Sequence, residues 1–374
     1  MARTRKKAIW VDTETTYGSD PSTNGSGYLW IPATELGELQ DGLQPLETNY
    51  ATGENFDTAT IAGADGWTFS CTVPLIGMAT SAGDEVDAAS VGDDWLDAIL
   101  NHVFGTQDTN EGEAIVSVPD STGIVFGDTE ANVAELLAVH EDDAPSASAE
   151  RVQWAFVTAD NGGNDYDIAP AWESNPTSSG VSYGAKHYSF DDNGGASLAF
   201  VYLQDDIEYL LLGGRCTSAA ISMVAGQIAT MALTFSGDTK TVEGTTKVSQ
   251  NLPASGSAPA VEPCKGLISP FHFNGTKYAV ASVEIALNLD TSPIGSSEAV
   301  NGRSEYEHMR AAPMITVNPL RTTTLVDLKR NQTKGRLLVQ IGSGKGDGTP
   351  INSLCVHAEE AVAQTNDPAD DAGT

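Results

Sequence analysis

Three short motifs in the sequence contain residues that could do chemistry. Residues 180–184 read Gly-Val-Ser-Tyr-Gly, which has the GxSxG spacing of a nucleophilic serine, and His187 follows closely. A nucleophile elbow requires a buried strand before the serine and a helix after it. The run before this motif, Ser-Asn-Pro-Thr-Ser-Ser, is typical of a loop. We therefore interpret residues 180–184 as a flexible loop and not as the site of a hydrolase.

The other two motifs concern phosphate and calcium. Residues 342–348, Gly-Ser-Gly-Lys-Gly-Asp-Gly, resemble a phosphate-binding loop, but they lack the GxxxxGK[ST] spacing and lie between two strand patterns. A hairpin turn is the better interpretation. Residues 160–167 are rich in Asp and Asn, whose oxygens can bind calcium, but they do not follow the EF-hand order. They predict an acidic turn, with weak cation binding as the alternative.

Cysteines and histidines are too scattered to form a site. Cys71, Cys216, Cys264 and Cys355 are far apart, with no CxxC pair and no histidine at ligand spacing. We expect them to be reduced packing residues. The six histidines occur singly. The residue types therefore predict no catalytic residue, no cofactor and no metal site, and we expect the protein not to be an enzyme.

Charge is distributed unevenly along the chain. The sequence has 51 acidic and 19 basic residues, which gives a net charge of −32. No Lys or Arg occurs between Lys7 and Arg151, whereas seven basic residues fall between Arg303 and Arg336. A head-to-tail or ring-forming contact between copies could use this asymmetry.

Three interpretations of the acidity stay open. An acidic surface repels duplex DNA, which suits a conduit that DNA must pass without adhering. Acidity is also typical of proteins adapted to high salt, where screening permits a dense carboxylate surface. The third interpretation is a soluble surface with no specific task.

Alternating apolar residues between Ser197 and Asp238 predict four antiparallel strands with one buried face. Turns are expected at Asp205-Asp206 and at Gly213-Gly214, and the later strands run from Thr217 to Val224 and from Ile228 to Phe235. Nothing in these strands is catalytic, so the pattern indicates a scaffold.

Similar patterns predict the other elements. An apolar stripe from Trp95 to Val103, followed by Gly105, predicts a helix. Further helices are predicted at 130–140 and 323–331, strands at 58–76, 279–289, 314–317, 335–342 and 352–361, and mostly long acidic loops at 106–150 and 158–196.

Together the patterns predict a mainly β protein, a β-sandwich or barrel with a flanking helix that is duplicated in tandem and carries long acidic loops. No apolar run approaches the roughly 20 residues of a membrane-spanning helix, and no apolar segment follows the basic N-terminal residues, so we expect neither a membrane segment nor a signal peptide. The predicted divisions are an extended N-terminal arm at 1–56, a first β domain at 57–245 with an insertion at about 106–195, a linker at 246–264, a second β domain at 265–363 and a disordered acidic tail at 364–374.

Several short segments resemble one family. Residues 211–217 (Leu-Leu-Gly-Gly-Arg-Cys-Thr), 225–228 (Ala-Gly-Gln-Ile) and 233–237 (Leu-Thr-Phe-Ser-Gly) resemble consecutive motifs of tail tube proteins, the major tail proteins of long-tailed, siphovirus-type phages and archaeal viruses. The N-terminal run at 14–20 and the run starting at Asp65 look like the start and the first core strand of that family. Residues 275–360 fit its C-terminal half more loosely.

The resemblance implies a structural virion protein with a tail-tube-like β fold. Subunits of that family form rings whose sheets join into a continuous inner barrel, and the rings stack so that genomic DNA passes through the lumen without specific binding. It implies partners as well: further copies in trimeric, pseudo-sixfold rings or in hexameric rings, and the tape-measure, tail-tip and tail-terminator proteins. The expected location is the virion tail, and the host cytoplasm before assembly.

Candidate interface residues follow from residue type. Trp10 and Tyr17 are large groups in a polar segment, so we expect them to contact a neighbouring ring, with packing on their own domain as the alternative. A set of arginines is expected to meet the carboxylates of a neighbour's first half, with intrachain ion pairs as the alternative. These arginines are Arg303, Arg310, Arg321, Arg330 and Arg336.

One alternative function comes from a different class of protein. A surface or appendage β-protein of a halophilic organism, such as a sheath, pilin-like or adhesin subunit, would share the acidity and the sheets. The lack of a recognisable secretion signal argues against this alternative, as do the motifs at 211–237.

Overall fold

A computed structural model describes the protein over most of its length. The described residues are 7–22, 27–41, 45–50, 57–62, 66–76, 78–80, 94–117, 123–126, 136–141, 152–163, 165–171, 181–190, 195–205, 207–243, 264, 271–295, 303–319, 334–343 and 351–362. The predicted helix at 323–331, most of the predicted linker and the acidic tail lie outside them.

The described residues form strands and one helix. The first elements are β1 (Lys7–Thr13), β2 (Leu29–Trp30), β3 (Glu35–Leu36), β4 (Gln40–Asp41), β5 (Pro45–Tyr50), β6 (Asp57–Ala62), β7 (Trp67–Pro74), β8 (Met78–Thr80) and α1 (Asp94–Phe104). The next are β9 (Gly105–Ser117), β10 (Gly123–Phe126), β11 (Leu136–Glu141), β12 (Val152–Gly162), β13 (Asp165–Ala169) and β14 (Val181–Phe190). The last are β15 (Leu198–Gln204), β16 (Ile207–Val224), β17 (Thr230–Gly237), β18 (Thr239–Glu243), β19 (Phe271–Phe273), β20 (Thr276–Tyr278), β21 (Val280–Ala286), β22 (Leu289–Gly295), β23 (Arg303–Ala311), β24 (Met314–Pro319), β25 (Lys334–Ser343) and β26 (Ile351–Val362).

An eleven-stranded antiparallel sheet, the central sheet, organises the molecule. Its main path runs β2-β1-β15-β16-β17-β7-β3, and β4, β18, β21 and β24 pair at its sides. The first half of β16 pairs with β15 and β18, and its second half pairs with β17 and β21. The mainly β prediction is therefore confirmed. Residues 7–13, predicted to lie in an extended arm, form β1 inside this sheet.

The predicted turn at Gly213-Gly214 is wrong, because β16 continues through both glycines as a single strand. The pairing register slips there, as at a β-bulge, and Gly213 has a φ of 68°. A Cβ atom on Gly213 would lie 2.9 Å from the Tyr17 ring, and one on Gly214 would lie 2.6 Å from the Leu198 carbonyl oxygen. The glycines bend the strand and leave room for its neighbours, whereas the sequence pattern alone indicates a chain reversal.

The core lies on one face of the central sheet. Trp67, Phe69, Phe200 and Phe235 form an aromatic cluster with ring centroids 4.8 to 6.0 Å apart. The helix α1 was predicted from its apolar stripe, and it buries that stripe in the same core. This helix is eleven residues long, and no described helix is long and apolar enough to cross a membrane.

The region predicted as long acidic loops is instead a closed six-stranded barrel. Its strands close in the order β10-β13-β12-β11-β14-β9. The predicted helix at 130–140 is wrong where it is described, because Leu136–Glu141 is a strand that pairs with β12 and β14. Closure depends on pairing between β9 and β14, which are about 70 residues apart, so local composition rich in Asp, Gly and Ser gives little signal.

A five-stranded sheet and two separate hairpins, β5–β6 and β22–β23, complete the described fold. The sheet has the order β20-β19-β25-β26-β8, and its β25–β26 pair confirms the predicted hairpin. β21 and β24 extend the central sheet, and the chain then continues as the separate hairpin β22–β23. Residues from the two predicted β domains therefore share sheets. β21 pairs with β16, and β8 pairs with β26.

Candidate functional site

Trp10 packs inside its own subunit. Its side chain is 0% exposed, in a cluster with Tyr28, Val201 and Leu212 on the second face of the central sheet. This position corresponds to the intrachain alternative, and it leaves no Trp10 surface for a neighbouring ring to contact.

Tyr17 is half-buried and links three parts of the chain. Its hydroxyl donates to Asp238 Oδ2 at 2.5 Å and accepts from the Tyr306 amide at 3.0 Å. It also lies 3.2 Å from the Gly213 carbonyl oxygen at the bend of β16. Burial, followed by the hydrogen bond and charge of Asp238, raises the pKa of Tyr17 above its ordinary value. Tyr17 therefore holds the β22–β23 hairpin against the bend as a neutral phenol.

Two buried charges lie beside Tyr17. Glu14 accepts from Gly213 N and Gly18 N, both at 2.8 Å, and from Ser197 Oγ at 2.5 Å. Burial nevertheless outweighs these hydrogen bonds and raises the pKa of Glu14. Arg215 donates to the carbonyl oxygens of Gly195 and Tyr306, and burial lowers its pKa. Glu14 and Arg215 therefore connect the loops around Gly18 and Gly195 to the bend, mainly through hydrogen bonds with backbone groups.

A buried histidine fixes the other side of the bend. His102 Nδ1 lies 2.6 Å from the Ala196 carbonyl oxygen, and its Nε2 accepts from the Cys216 amide at 2.9 Å. Nδ1 faces a carbonyl oxygen and therefore carries the proton, whereas Nε2 accepts a hydrogen bond and is unprotonated. His102 is thus the neutral tautomer with its proton on Nδ1.

Burial raises the pKa of the Cys71 and Cys216 thiols to about 12, so neither is a ready nucleophile.

The predicted arginines do not form one described cluster. Arg303 and Arg310 lie on β23, and Arg321 and Arg330 lie outside the described residues. Arg336 lies on β25, with its guanidinium 4.9 Å from the centre of the Phe156 ring in the barrel. That contact is within the chain, so Arg336 connects the barrel to the five-stranded sheet.

The three motifs that could do chemistry lie in strands, in a turn and partly outside the described residues. The described part of the GxSxG motif, residues 181–184, lies inside β14, so it is neither the predicted loop nor a nucleophile elbow. The acidic run is the β12–β13 turn, where the amide of Gly162 donates to Asp160 Oδ1 at 2.7 Å. Among the described residues, no group of three or more His, Cys, Asp or Glu side chains could hold a metal ion. Most of the glycine loop lies outside those residues.

The accessible face of the central sheet has an unusual composition. Five neighbouring strands, β7, β17, the second half of β16, β21 and β24, turn their apolar residues to the core and short neutral side chains outward. We call this surface the hydroxyl face. Its exposed or half-buried residues are Thr68, Ser70, Thr72, Arg215, Ser218, Ala220, Ser222, Val224, Thr230, Ala232, Thr234, Ser236, Ser282, Glu284, Ala286, Met314, Thr316 and Asn318.

Strand register aligns these residues in rows across the sheet. Thr72 lies opposite Ala232, which lies opposite Ala220, and the row continues to Ala286 and Met314. Side chains of this size give a shallow surface with hydroxyl groups that can bind water.

The hydroxyl face differs in charge from the rest of the chain. Among its described residues only Glu284 and Arg215 are ionisable, whereas the whole sequence contains 51 acidic and 19 basic residues. Arg215 lies at one end of the face, where its guanidinium donates to the carbonyl oxygens of Gly195 and Tyr306, and this set of described residues contains no lysine. The period-two pattern of residues 230–235 reveals part of this face, but the neighbours of each strand are fixed only by pairing such as that of β16 with β21.

Several strands leave open edges beside the hydroxyl face. Among the described pairings, β2, β3, β4, β18 and β24 each pair on one side only. Exposed apolar side chains occur on two of these strands, Val242 on β18 and Met314 on β24. An unpaired edge with apolar side chains is a surface on which another strand can add.

The resemblance to tail tube proteins rests on short motifs at residues 14–20, 65–69 and 211–237. No protein-family model matches the chain, and no curated protein matches it. The observations that bear on function are therefore these motifs, the hydroxyl face and the open edges.

Proposed function

We propose that this chain is the repeating subunit of a hollow, non-contractile viral tail tube, with the hydroxyl face turned towards the lumen. The observation that carries the proposal is the scarcity of cations among the described residues of that face, which include no lysine and one arginine, Arg215, whose guanidinium donates to the backbone carbonyl oxygens of Gly195 and Tyr306. Contacts between such cations and phosphates supply most sequence-independent affinity for DNA. A wall of short hydroxyl and methyl groups lets duplex DNA pass without holding it.

Ring formation uses the open edges. Strands at the edge of a sheet promote association unless they are covered, and a closed ring of copies covers them. β18 and β24 carry exposed Val242 and Met314, so the same edges offer apolar contact area to a neighbour. Three copies complete a pseudo-sixfold ring if each chain supplies two tail-tube-like units, and six copies are needed if it supplies one.

The barrel belongs on the outside of the tube in this proposal. Its strands pair in a closed cycle, so it has no free edge to contribute to a continuous wall. The described turn between β12 and β13 is acidic and exposed, which keeps this part of the surface hydrated. The partners that follow from the proposal are further copies, the tape-measure, tail-tip and tail-terminator proteins, and DNA in transit.

Electron microscopy of the purified protein in negative stain tests the proposal. Samples at low salt and at molar salt are both needed, since screening weakens the repulsion between acidic copies and a protein adapted to high salt assembles only when it is screened. Hollow rings or tubes are the expected result, and class averages count the copies in each ring. Solid fibres or flat arrays would favour the alternative, a surface or appendage protein of a halophilic organism.

A further inference from the structure

A cleft separates the barrel from the five-stranded sheet. Its volume is about 400 Å³, and its walls come from β12 of the barrel and from β25, β26 and the β19–β20 turn of the sheet. This volume lies in the range of clefts that bind small groups or a few side chains. We call it the junction cleft, and we describe it by Phe156, Asn274, Lys334, Arg336 and Glu360.

Two basic side chains line one wall of the junction cleft. Lys334 and Arg336 are two positions apart on β25, on either side of Gly335. A Cβ atom on Gly335 would lie 2.8 Å from the Phe273 ring and 3.0 Å from the Asn274 side chain. The glycine therefore lets the β19–β20 turn approach closely, and this turn contributes Asn274 and Gly275 to the lining of the cleft.

Lys334 and Arg336 interact only weakly with other groups of the chain. Lys334 pairs with Glu360 at 2.9 Å, but both side chains are about two-thirds exposed, at 66% and 69%. Exposed pairs of this kind contribute little to stability and exchange partners readily. The Arg336 guanidinium stacks on Phe156, and no carboxylate in the described part of the chain lies within ion-pair distance of it. The N–H groups of the Arg336 guanidinium can therefore donate hydrogen bonds to an oxyanion.

We propose that the junction cleft binds carboxylates from an acidic segment of a second copy of this chain. Charge complementarity identifies the occupant, because the chain has a net charge of −32 and no Lys or Arg between Lys7 and Arg151. Every neighbouring copy contains such acidic segments. Binding of their carboxylates to Lys334 and Arg336 reduces the electrostatic repulsion between the copies. This inference extends the proposed tube by naming a contact between copies, and it also applies to any other self-assembly of the chain.

Charge removal tests this contact. We compare the wild type with the double variant Lys334→Gln/Arg336→Gln by sedimentation over a range of concentrations at 50 mM and 1 M NaCl. At low salt we expect the double variant to need roughly tenfold more protein to associate, and the difference to shrink at high salt. Lys186→Gln, which removes a lysine from β14 of the closed barrel, is the matched control and should associate like the wild type.

A second measurement identifies the partner directly. Carbodiimide joins amines to carboxylates without a spacer, and a mixture of ¹⁴N- and ¹⁵N-labelled copies separates links between copies from links within one. Links from Lys334 of one copy to acidic residues of another support the contact. The link from Lys334 to Glu360 within one copy is the internal control, since the two groups are 2.9 Å apart.

The results separate the junction cleft from the tube proposal. Hollow tubes formed equally well by the double variant would overturn the contact and leave the tube standing. Solid fibres whose formation needs both cations would support the contact and contradict the tube. Wild-type copies that never associate, or a cleft that binds a duplex DNA oligonucleotide and no second copy, would overturn the contact. Circular dichroism of each variant confirms that it is folded.

Discussion

The central sheet and the barrel are both built from antiparallel strands, but they treat strand edges in opposite ways. The barrel returns β9 to β14 and β10, so each of its strands has two neighbours. Among the described pairings, the central sheet leaves β2, β3, β4, β18 and β24 with one neighbour each. Open edges promote association between chains, and closed barrels suppress it.

The two regions therefore suit different roles in one assembly. The central sheet has a buried core face, a hydroxyl face and edges that can join other copies. The barrel contacts the rest of the chain at α1, where Tyr188 donates to Asp97, and at the junction cleft, and each of its strands already has two neighbours. A subunit that forms the wall of a tube and carries an outer appendage would require both kinds of structure.

The largest expected effect is on the bend of the central sheet. A Cβ atom on Gly237 would lie 2.3 Å from Trp67 Cζ2 and 2.8 Å from the Leu212 carbonyl oxygen. We expect Gly237→Ala to lower the free energy of unfolding by about 3 kcal/mol, since neither group can move away cheaply. Gly162→Ala in the barrel is the matched control. Its φ is 82° with nothing near, so only about 1–2 kcal/mol should be lost. Equal losses in denaturant unfolding would contradict the packing described for Trp67.

Tyr17→Phe should have the next largest effect. It leaves Asp238 and the Tyr306 amide without their shared hydroxyl, and we expect a loss of about 2 kcal/mol. Hydrogen exchange should accelerate in β22 and β23 and stay unchanged in β12 and β13 of the barrel. Tyr209→Phe on the same sheet is the control, because its hydroxyl makes no hydrogen bond with the described residues, and its contact with Lys240 is through the ring. Faster exchange in the barrel would show that the two regions are coupled through Tyr17.

Glu14 makes the central sheet sensitive to pH. Its folded-state pKa lies above the ordinary 4.5, so its contribution to stability is fully present below pH 4.5 and is lost as the pH rises through the folded-state pKa. The stability of the wild type relative to Glu14→Gln should therefore be greatest near pH 4 and fall by on the order of 1 kcal/mol towards pH 7. Urea unfolding of both proteins between pH 4 and pH 7 measures the difference in their free energies of unfolding. A stability of the wild type relative to Glu14→Gln that increases with pH would contradict the burial of Glu14.

The smallest effect on stability is expected on the hydroxyl face. Ser222→Lys adds a positive charge to an exposed position, and it should change the free energy of unfolding by less than about 0.5 kcal/mol. In assembled tubes it should retain duplex DNA and protect it from nuclease, because the added cation contacts phosphate. Ser189→Lys, at an exposed position of the barrel, is the matched control and should protect no DNA. Equal protection by both variants would contradict a lumenal hydroxyl face.

The sequence predicts the central sheet better than the barrel for a physical reason. Residues 218–224 and 230–237 alternate buried and accessible side chains because one face is buried there, and this period is visible locally. Residues 198–203 are apolar throughout because both faces of β15 are covered. The turn predicted at Gly213-Gly214 is wrong because a Gly-Gly dipeptide is compatible both with a turn and with a β-bulge. The barrel depends on pairing between distant segments, so its strands resemble loops. The hydroxyl face likewise needs β21 to be placed beside β16, which no local pattern specifies.

The most direct test of the central claim is an electron cryo-microscopy reconstruction of the assembled protein. We predict a hollow tube in which Ser222 and Thr230 of the hydroxyl face line the lumen and the barrel strands β9–β14 lie on the outer surface. A filament without a lumen, or a tube whose inner wall is formed by the barrel while the hydroxyl face is buried between copies, would contradict the account.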